Sequence, residues 1–258
     1  MLSESLKTRT VIRHFEAELD RSFEALPLIG LIVLSTDCVT EHELRQMAPA
    51  DKVATSSTRI PTENPLTLKI LRDHVGEISR AVRLFEPSNS VDVFAYACTA
   101  GSAVNSIDSL ARGVREGGSP APITAPMPAA IAAFQTLGVR RIAMLTPYPD
   151  EVTNFMCDHL EANRIEVVSA GSFAFDIDYE MSNISPKALG EAAAQLDVPS
   201  AEAIFLPCTA LRCSSVIAPL EASRGKPVVT AHQAMLWHAL TLANSDLRLP
   251  RCGRLFEL

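Results

Sequence analysis

Two cysteines stand in closely similar surroundings in this chain of 258 residues. Cys98 lies in "FAYACTAGS" and Cys208 lies in "IFLPCTALR", so each follows an apolar run and precedes a threonine. A thiolate is a good nucleophile and a usable base, and its pKa falls beside backbone N–H groups or a cation. We therefore expect both cysteines to do chemistry. Thr99 and Thr209 either present a hydroxyl or N–H group to a ligand or cap a helix.

Two thiols on opposite sides of one carbon atom allow two kinds of cofactor-free reaction. In racemisation, one thiolate removes a proton while the other thiol donates one. In cis–trans isomerisation, one thiolate adds to an activated double bond, the adduct rotates, and elimination releases the other isomer. A single active cysteine would be enough for decarboxylation with protonation of an enediolate. The doubled motif favours isomerisation or racemisation, with decarboxylation or non-enzymatic binding of a small molecule as alternatives.

The elements that must position the cysteines are visible in the pattern of apolar runs. Strand-length runs rich in Ile and Val alternate with helical segments, a pattern typical of parallel strands buried between helices. The expected strands are residues 28–35, 52–58, 90–97, 121–124, 140–146, 164–170, 201–207 and 226–230. The expected helices include residues 64–85, 127–138, 150–163 and 186–196.

The order of these elements repeats after about 110 residues, and Cys208 follows Cys98 at the same interval. We therefore predict an α/β protein of two similar lobes, each a four-stranded, mainly parallel sheet flanked by helices. A pseudo-twofold axis relates the lobes, and the active site lies between them. The predicted segments are an N-terminal extension over 1–27, a first lobe over 28–125, a connecting helix over 126–139, a second lobe over 140–243 and a C-terminal tail over 244–258.

Polar residues at the end of the first strand are the next site candidates, because open parallel sheets bind ligands at the carboxyl ends of their strands. Ser35, Thr36 and Asp37 occupy this position. Their hydroxyl, N–H and carboxylate groups could hold a small ligand. Asp37 could equally cap the following helix, with Thr40 and Glu43 arranged as a capping box.

The remaining cysteines and one histidine have weaker claims to a function. Cys38, Cys157, Cys213 and Cys252 lack the doubled context, and isolated cysteines are usually inert packing residues. His232 follows the last predicted strand, where we expect it to cap a helix or to border the site.

Composition limits the partners and cofactors. A net charge of −7 argues against a nucleic-acid or anionic-membrane partner. The chain has no apolar run of about 18 residues, so no membrane span is expected. The absence of a signal-like N-terminus and of CxxC pairs favours a reducing cytoplasm and disfavours a zinc site. No glycine-rich phosphate loop occurs, so we expect neither a nucleotide nor any other cofactor.

The motifs "YACTAGS" and "LPCTALR", together with "GLIVLSTD", "LTPY" and "VVTAHQAMLWHAL", resemble the aspartate/glutamate racemase superfamily. The similarity extends over residues 28–243 and is greatest to the branch of maleate cis–trans isomerase and the ectoine-utilisation protein A family. Arylmalonate decarboxylase and hydantoin racemase are more distant members. The resemblance implies two α/β lobes, a homo-oligomer and a small carboxylate substrate. It also implies that Cys98 acts as nucleophile or base, that Cys208 donates a proton, and that Tyr148 donates a hydrogen bond to a substrate carboxylate.

Two positions depart from the maleate isomerase pattern. Asp37 and Asp178 match sites where those enzymes have asparagines that bind the substrate. An ionised aspartate only accepts hydrogen bonds and repels a dicarboxylate. If both aspartates face the site, the ligand should carry an amine, amidine or other cation beside its carboxylate, as expected of the ectoine-utilisation branch. Asp178 has the alternative of a solvated turn residue.

Overall fold

The computed structural model describes residues 12–85 and 90–258. The first half of the chain alternates strands and helices, beginning with a short 3₁₀ turn at Ser22–Ala25. Its strands are β1 (Leu28–Leu34), β2 (Ala54–Ile60), β3 (Val93–Ala97) and β4 (Ile123–Thr124). Its helices are α1 (Thr40–Met47), α2 (Leu68–Asp73), α3 (Ile78–Val82), α4 (Thr99–Val104), α5 (Ile107–Glu116) and α6 (Pro126–Leu137).

The second half repeats this alternation. Its strands are β5 (Arg141–Thr146), β6 (Glu166–Ser172), β7 (Ala203–Leu206) and β8 (Val228–Thr230). Its helices are α7 (Asp150–Ala162), α8 (Asp178–Asn183), α9 (Pro186–Leu196), α10 (Ile217–Arg224) and α11 (Ala231–Leu242). Two 3₁₀ turns, Pro250–Cys252 and Arg254–Glu257, close the chain.

The two sheets have the same topology. The first has the strand order β2-β1-β3-β4 and the second has the order β6-β5-β7-β8, with parallel pairing throughout. The central strands β1, β3, β5 and β7 are almost entirely buried, as expected for parallel strands covered by helices on both faces. The predicted fold of two similar four-stranded lobes is therefore confirmed.

The long helix expected over 64–85 is divided in the structure. Only α2 and α3 are α-helical, and the 3₁₀ turn His74–Glu77 joins them. Gly76 lies within this turn, and glycine disfavours a continuous α-helix. The tighter winding accompanies the burial of His74, whose ring is hydrogen-bonded in the interior. The periodic spacing of apolar residues therefore predicted that this segment is helical, but it did not predict the 3₁₀ turn that divides it.

Helix α6 connects the lobes and packs on the core of both. Prolines occupy its first turn, and Gly138 ends it with a φ of 70°, a left-handed conformation that glycine adopts without strain. Phe134 of α6 meets Phe205 of β7 edge to face, with ring centroids 5.3 Å apart. Within residues 12–85 and 90–258, no helix is long and apolar enough to cross a membrane.

Candidate active site

The first cysteine lies where β3 passes into α4. Cys98 keeps extended backbone angles and is the N-cap residue of α4. Its Sγ accepts a hydrogen bond from the backbone N–H of Gly101 at 3.3 Å. The thiol is therefore aligned by a strand end and a helix start, as the sequence predicted for this motif.

The second cysteine follows β7 but does not begin a helix. Thr209 does not cap a helix, because the chain forms turns until α10 starts at Ile217. Cys208 itself has a φ of 143°, a backbone region that is strained for any residue other than glycine. Its Sγ accepts a hydrogen bond from Ala210 N–H at 3.2 Å. Strain of this kind persists only where surrounding contacts impose it, and it is common at functional sites.

Both cysteines line one pocket between the lobes. Thr209 of the second lobe donates a hydrogen bond through Oγ1 to the carbonyl of Ala97 at 3.2 Å, which ties the residues next to the two cysteines together. The pocket encloses about 20 Å³ of free space, sufficient for about one water molecule. Its walls bring together six of the predicted site residues beside Cys98: Thr36, Asp37, Tyr148, Asp178, Cys208 and Thr209.

Burial controls the protonation of both thiols. Desolvation raises the pKa of Cys98 to about 12, opposed by the hydrogen bond from Gly101 and by the neighbouring Tyr96 hydroxyl. Desolvation likewise raises the pKa of Cys208 well above the ordinary value, opposed by the Tyr148 hydroxyl and Ala210 N–H. The nearby carboxylate of Asp178 raises the pKa of both thiols further. In the closed, ligand-free site both cysteines are therefore protonated at neutral pH.

Tyr148 lies deep in the pocket, next to Cys208. Its side chain is 3% exposed, and its hydroxyl is close enough to Cys208 to lower the pKa of that thiol. Desolvation, followed by the charges of the two thiolates, raises the pKa of Tyr148 well above its ordinary value. The phenol therefore stays protonated and can donate a hydrogen bond either to sulfur or to a ligand oxygen.

Asp37 faces the pocket and also organises the loop before α1. Its Oδ1 accepts hydrogen bonds from Val39 N–H at 2.8 Å and Thr40 N–H at 2.9 Å, and its Oδ2 accepts one from Thr40 Oγ1 at 2.6 Å. Desolvation raises the pKa of Asp37 despite these donors and the charge of Arg59. Val39 rather than Asp37 is the N-cap residue of α1, but the Asp37 carboxylate accepts a hydrogen bond from the first N–H group of that helix and also lines the pocket.

The proposed capping box of Thr40 and Glu43 is wrong. Thr40 directs its hydroxyl to Asp37, and Glu43 instead crosses to the second lobe, where it accepts hydrogen bonds from Ser214. The spacing of Thr40 and Glu43 in the sequence could not show that the Glu43 carboxylate binds a residue from a distant segment.

Asp178 is not a solvated turn residue. It is 7% exposed at the start of α8, and it accepts a short hydrogen bond from the Thr36 hydroxyl of the other lobe. Desolvation raises the pKa of Asp178, and the charge of Asp37 raises it further. The two carboxylates that the sequence singled out therefore face the same small space.

Two other predicted site residues lie outside the pocket walls. Ser35 is exposed, and its hydroxyl hydrogen-bonds the backbone of Thr62 rather than pointing between the lobes. Thr99 is fully buried behind Cys98 in the first turn of α4. Neither the hydroxyl of Ser35 nor that of Thr99 is placed to meet a ligand, because successive residues at a strand end point in different directions.

The structure adds residues that the sequence analysis did not select. Cys38 is exposed at the rim rather than an inert core residue, and the pocket is closed by Leu66 from a loop of the first lobe and by Ser182 from α8 of the second. Cys38 could have been found from its place beside Asp37. Leu66 lies far from any motif, whereas Ser182 is about one helical turn after Asp178.

His232 is buried behind Asp37 rather than at the rim. Its Nε2 lies 3.0 Å from Thr40 Oγ1, which in turn donates to Asp37. Since the threonine proton is used on the carboxylate, His232 donates from Nε2 and its Nδ1 is left unprotonated. Desolvation lowers the pKa of His232 to about 4, so the ring is neutral at pH 7.

Metal chemistry has no cluster of ligands to support it in the described part of the chain, where no three His, Cys, Asp or Glu side chains are grouped to hold an ion. The pocket carries the thiols of Cys98, Cys208 and, at its rim, Cys38, together with one phenol and two carboxylates.

Paired parallel lobes with one pocket cysteine from each place the chain in the aspartate/glutamate racemase-like class of proteins. Comparison with known families gives the particular group. The sequence profile of the arylmalonate decarboxylase family matches residues 101–256, and the chain belongs to this family. The matched segment contains Cys208 and begins just after Cys98.

Full-length relatives carry a different activity in their names. The chain is 28% identical over 245 residues to the maleate isomerase of Geobacillus stearothermophilus, covering 89% of this chain and 96% of that protein. Its fold matches the crystal structure of the maleate isomerase of Pseudomonas putida S16 with a TM-score of 0.83, at 23% identity over 90% of this chain and 98% of that one. The TM-score is also 0.83, at 21% identity and the same coverage, for a Nocardia farcinica maleate cis–trans isomerase mutant with a covalently bound succinylcysteine intermediate.

Proposed function

We propose that this protein is a cofactor-independent isomerase or racemase of a small carboxylic acid, acting through Cys98 and Cys208. The observation that carries the proposal is the placement of one thiol from each lobe on a single pocket, each beside a tyrosine hydroxyl. The relatives that span nearly the whole chain are maleate isomerases, which supports this reaction class.

The two thiols divide the chemistry. In cis–trans isomerisation the Cys98 thiolate forms a C–S bond to one carbon of a conjugated double bond, and Cys208 transfers its proton to the neighbouring carbon. The resulting single bond rotates, Cys208 takes the proton back, and the C–S bond breaks. In racemisation Cys98 takes the α-proton and Cys208 delivers a proton to the opposite face. Tyr148 supplies a hydroxyl donor for a substrate carboxylate, whereas the hydroxyl protons of Thr36 and Thr209 are already donated to Asp178 and to the Ala97 carbonyl.

We further propose that the substrate carries a cationic nitrogen as well as a carboxylate. Asp37 and Asp178 both line the pocket, and none of the described residues that line it is a lysine, arginine or histidine. A dianion such as maleate would meet two carboxylates with no opposing charge. Asp37 already accepts three hydrogen bonds, whereas the hydroxyl of Thr36 is the partner that the described residues give Asp178. Asp178 is therefore the group that receives the ligand cation, and an amino- or amidino-carboxylate of the ectoine-utilisation type fits better than maleate.

Substrate binding requires the pocket to open. A space of about 20 Å³ is smaller than any four-carbon acid. The loops that close it meet where Leu66 N–H contacts the carbonyl of Asp176 at 3.4 Å, a contact between the two lobes. Separation of these loops admits the ligand.

The test is a substrate panel followed by NMR in deuterated water. It contains maleate, aspartate, arylmalonates and amino- or amidino-carboxylates, incubated with the wild type, Cys98→Ser and Cys208→Ser. We expect isomer formation without carbon dioxide release in the wild type, and loss of turnover in both variants. Cys157→Ser is the matched control, because Cys157 is half-buried in α7 away from the pocket. Full turnover in either pocket variant would remove the two-thiol mechanism, and carbon dioxide release would assign the decarboxylase alternative.

We also propose a homo-oligomer in a reducing compartment such as the cytoplasm. The N-terminal extension exposes the apolar side chains of Ile12, Phe15, Leu19 and Phe23, which supports burial against a second copy. All six cysteines are free, in agreement with a reducing environment. Light scattering of the full chain against a chain lacking the extension tests the oligomer, and equal masses would contradict this role of the extension.

A further inference from the structure

Cys98 has a second polar neighbour on the side away from the substrate pocket. Tyr96 precedes it by two residues on the same face of β3, and a Cβ atom built on Gly101 would contact both the Tyr96 hydroxyl and Cys98 Sγ, so the two groups are neighbours. The same hydroxyl lies 2.7 Å from Nδ1 of His74. Tyr96 is fully buried and His74 is 2% exposed, so this contact is shielded from bulk water.

The chain of polar groups continues outward from His74. Its Nε2 lies 3.0 Å from Thr62 Oγ1. Thr62 and His74 both line a solvent-open cavity of about 300 Å³ behind the first lobe. This outer cavity shares no described wall residue with the pocket between the lobes. Sulfur, phenol, imidazole and hydroxyl thus form a continuous row from the buried thiol to water.

A glycine leaves the space that this row needs. A Cβ atom built on Gly101 would lie 2.1 Å from the Tyr96 hydroxyl oxygen and 3.0 Å from Cys98 Sγ. Any larger residue would push the phenol away from the sulfur. Gly101 also donates its N–H to the same sulfur, so one residue both binds the thiol and admits the tyrosine.

A reactive Cys98 thiolate requires a route by which the thiol proton can leave the site. The Cys98 thiol is protonated at rest, and a reactive thiolate forms only if that proton has somewhere to go. On the pocket side, the carboxylates of Asp37 and Asp178 oppose a negative sulfur. Burial lowers the pKa of His74, so its ring is neutral at pH 7 and able to accept a proton.

We propose that Tyr96 and His74 form a proton path that carries the Cys98 proton to solvent in the outer cavity. The Cys98 S–H proton moves to Tyr96 Oη while the Tyr96 proton moves to His74 Nδ1. The Nε2 proton of His74 then leaves through Thr62 Oγ1 to water. The product is a thiolate that accepts a hydrogen bond from Tyr96, with neutral His74 donating from Nδ1. One proton leaves and no electron is transferred.

The second cysteine lacks such a path. Tyr148 lies within the substrate pocket, and no histidine in the described ranges is hydrogen-bonded to its hydroxyl. Cys98 therefore gives up its proton before the reaction, whereas Cys208 keeps its proton for donation. Tyr96 and His74 are positioning residues, because they act on the thiol and do not touch the substrate.

The surroundings of His74 allow the path to respond to pH. Asp73 lies beside it in sequence, and Glu63, Lys69 and Glu77 line the outer cavity with it. On its buried side His74 contacts Tyr96, and Cys98 lies beyond Tyr96. The charge of Asp73 partly offsets the effect of burial on the His74 pKa.

The test follows the alkylation rate of each cysteine by peptide mass spectrometry in the folded full chain, from pH 6 to pH 9. We compare the wild type, Tyr96→Phe, His74→Ala and the control His159→Ala, whose histidine is on α7. At pH 8 we expect the Cys98 rate to fall about tenfold or more in the first two variants, as for loss of a hydrogen bond to a charged group. Added imidazole should restore the rate in His74→Ala, because it fits the outer cavity. The Cys38 rate and the His159→Ala profile should not change.

An unchanged Cys98 rate in His74→Ala would overturn the path. A reduced Cys98 rate in His74→Ala that added imidazole does not restore would also overturn the path. In that case the substitution would have disturbed the structure around Cys98 rather than removed a base. The proposal rests on the proposed function only in taking the Cys98 thiolate as the reactive form. Alkylation does not need a substrate, so a failed substrate panel and a failed proton path are separate results.

Discussion

Glu43 of the first lobe is clamped to Ser214 of the second. One carboxylate oxygen of Glu43 accepts N–H bonds from Cys213 and Ser214, each at 2.7 Å, and the other accepts the Ser214 hydroxyl at 2.9 Å. Glu43 is 1% exposed. A buried carboxylate with three donors from the other lobe holds the turn after Cys208 against α1.

Removal of this carboxylate should loosen the two lobes. Glu43→Ala leaves the buried N–H of Cys213 and the partly buried N–H of Ser214 without an acceptor, and an unpaired buried group costs about 1–3 kcal/mol. We expect the free energy of unfolding to fall by at least about 2 kcal/mol, with a smaller loss in Glu43→Gln, which keeps one acceptor oxygen. Urea denaturation measures the change. The exposed Glu161→Gln serves as control, and equal stabilities of Glu43→Ala and the wild type would disprove the clamp.

The strained backbone of Cys208 predicts an unusual ranking of substitutions. Glycine tolerates a φ of 143°, whereas alanine does not. Cys208→Gly should therefore be more stable than Cys208→Ala by about 1 kcal/mol, although glycine normally destabilises. At Cys98, where φ is −147°, the order should reverse. Thermal unfolding of the four variants checks both rankings, and the same order at both positions would contradict the strain.

The charge of Asp178 should decide which ligands bind. Asp178→Asn removes a negative charge and adds a donor, so we expect affinity for an amino-carboxylate to fall about tenfold. Affinity for a dicarboxylate such as maleate should rise. Calorimetric titration with both ligands, in the wild type and the variant, gives the comparison. Equal effects on both ligands would mean that Asp178 does not meet the ligand cation.

Buried His232 should make stability depend on pH. Its folded pKa of about 4 lies below the unfolded value near 6.5, so the unfolded chain binds more protons between these limits. Stability is complete above about pH 6.5 and decreases as pH falls toward 4, by about 3 kcal/mol for this group. The negative charge of Glu43 raises the pKa of His232 and so reduces this loss of stability. Asp37 has the opposite effect on the pH dependence of stability, because its pKa is raised in the folded protein.

The variant His232→Gln isolates this contribution. Its free energy of unfolding should change less than that of the wild type between pH 7 and pH 5. Denaturant titrations at several pH values measure the slope. The exposed His42→Gln is the control, and identical slopes for the wild type and His232→Gln would refute the assignment.

The local sequence pattern was sufficient to predict the strands and the two cysteines that we propose to be catalytic. Buried parallel strands need continuous apolar runs, so the central strands β1, β3, β5 and β7 could be placed from the sequence. The edge strands β2 and β6 are partly exposed, and both begin later than predicted, at Ala54 and Glu166. A duplicated strand–Cys–Thr motif then fixes where the two thiols fall, because parallel strands end at one edge of a sheet. For the same reason Asp37 could be selected from the sequence, whereas Tyr148 was selected from the resemblance to a known family.

Contacts between distant segments were decided only by tertiary structure. The sequence marks Tyr96 as an apolar strand residue and His74 as part of a helix, and nothing local shows that they meet behind Cys98. Glu43 matched a helix cap but binds the other lobe. Ser35 and Thr99 stand at the right strand ends yet point elsewhere. Residue type and period determine which element forms, but a side chain's partner depends on packing between segments far apart in the chain, and that packing is specified by no single stretch of the sequence.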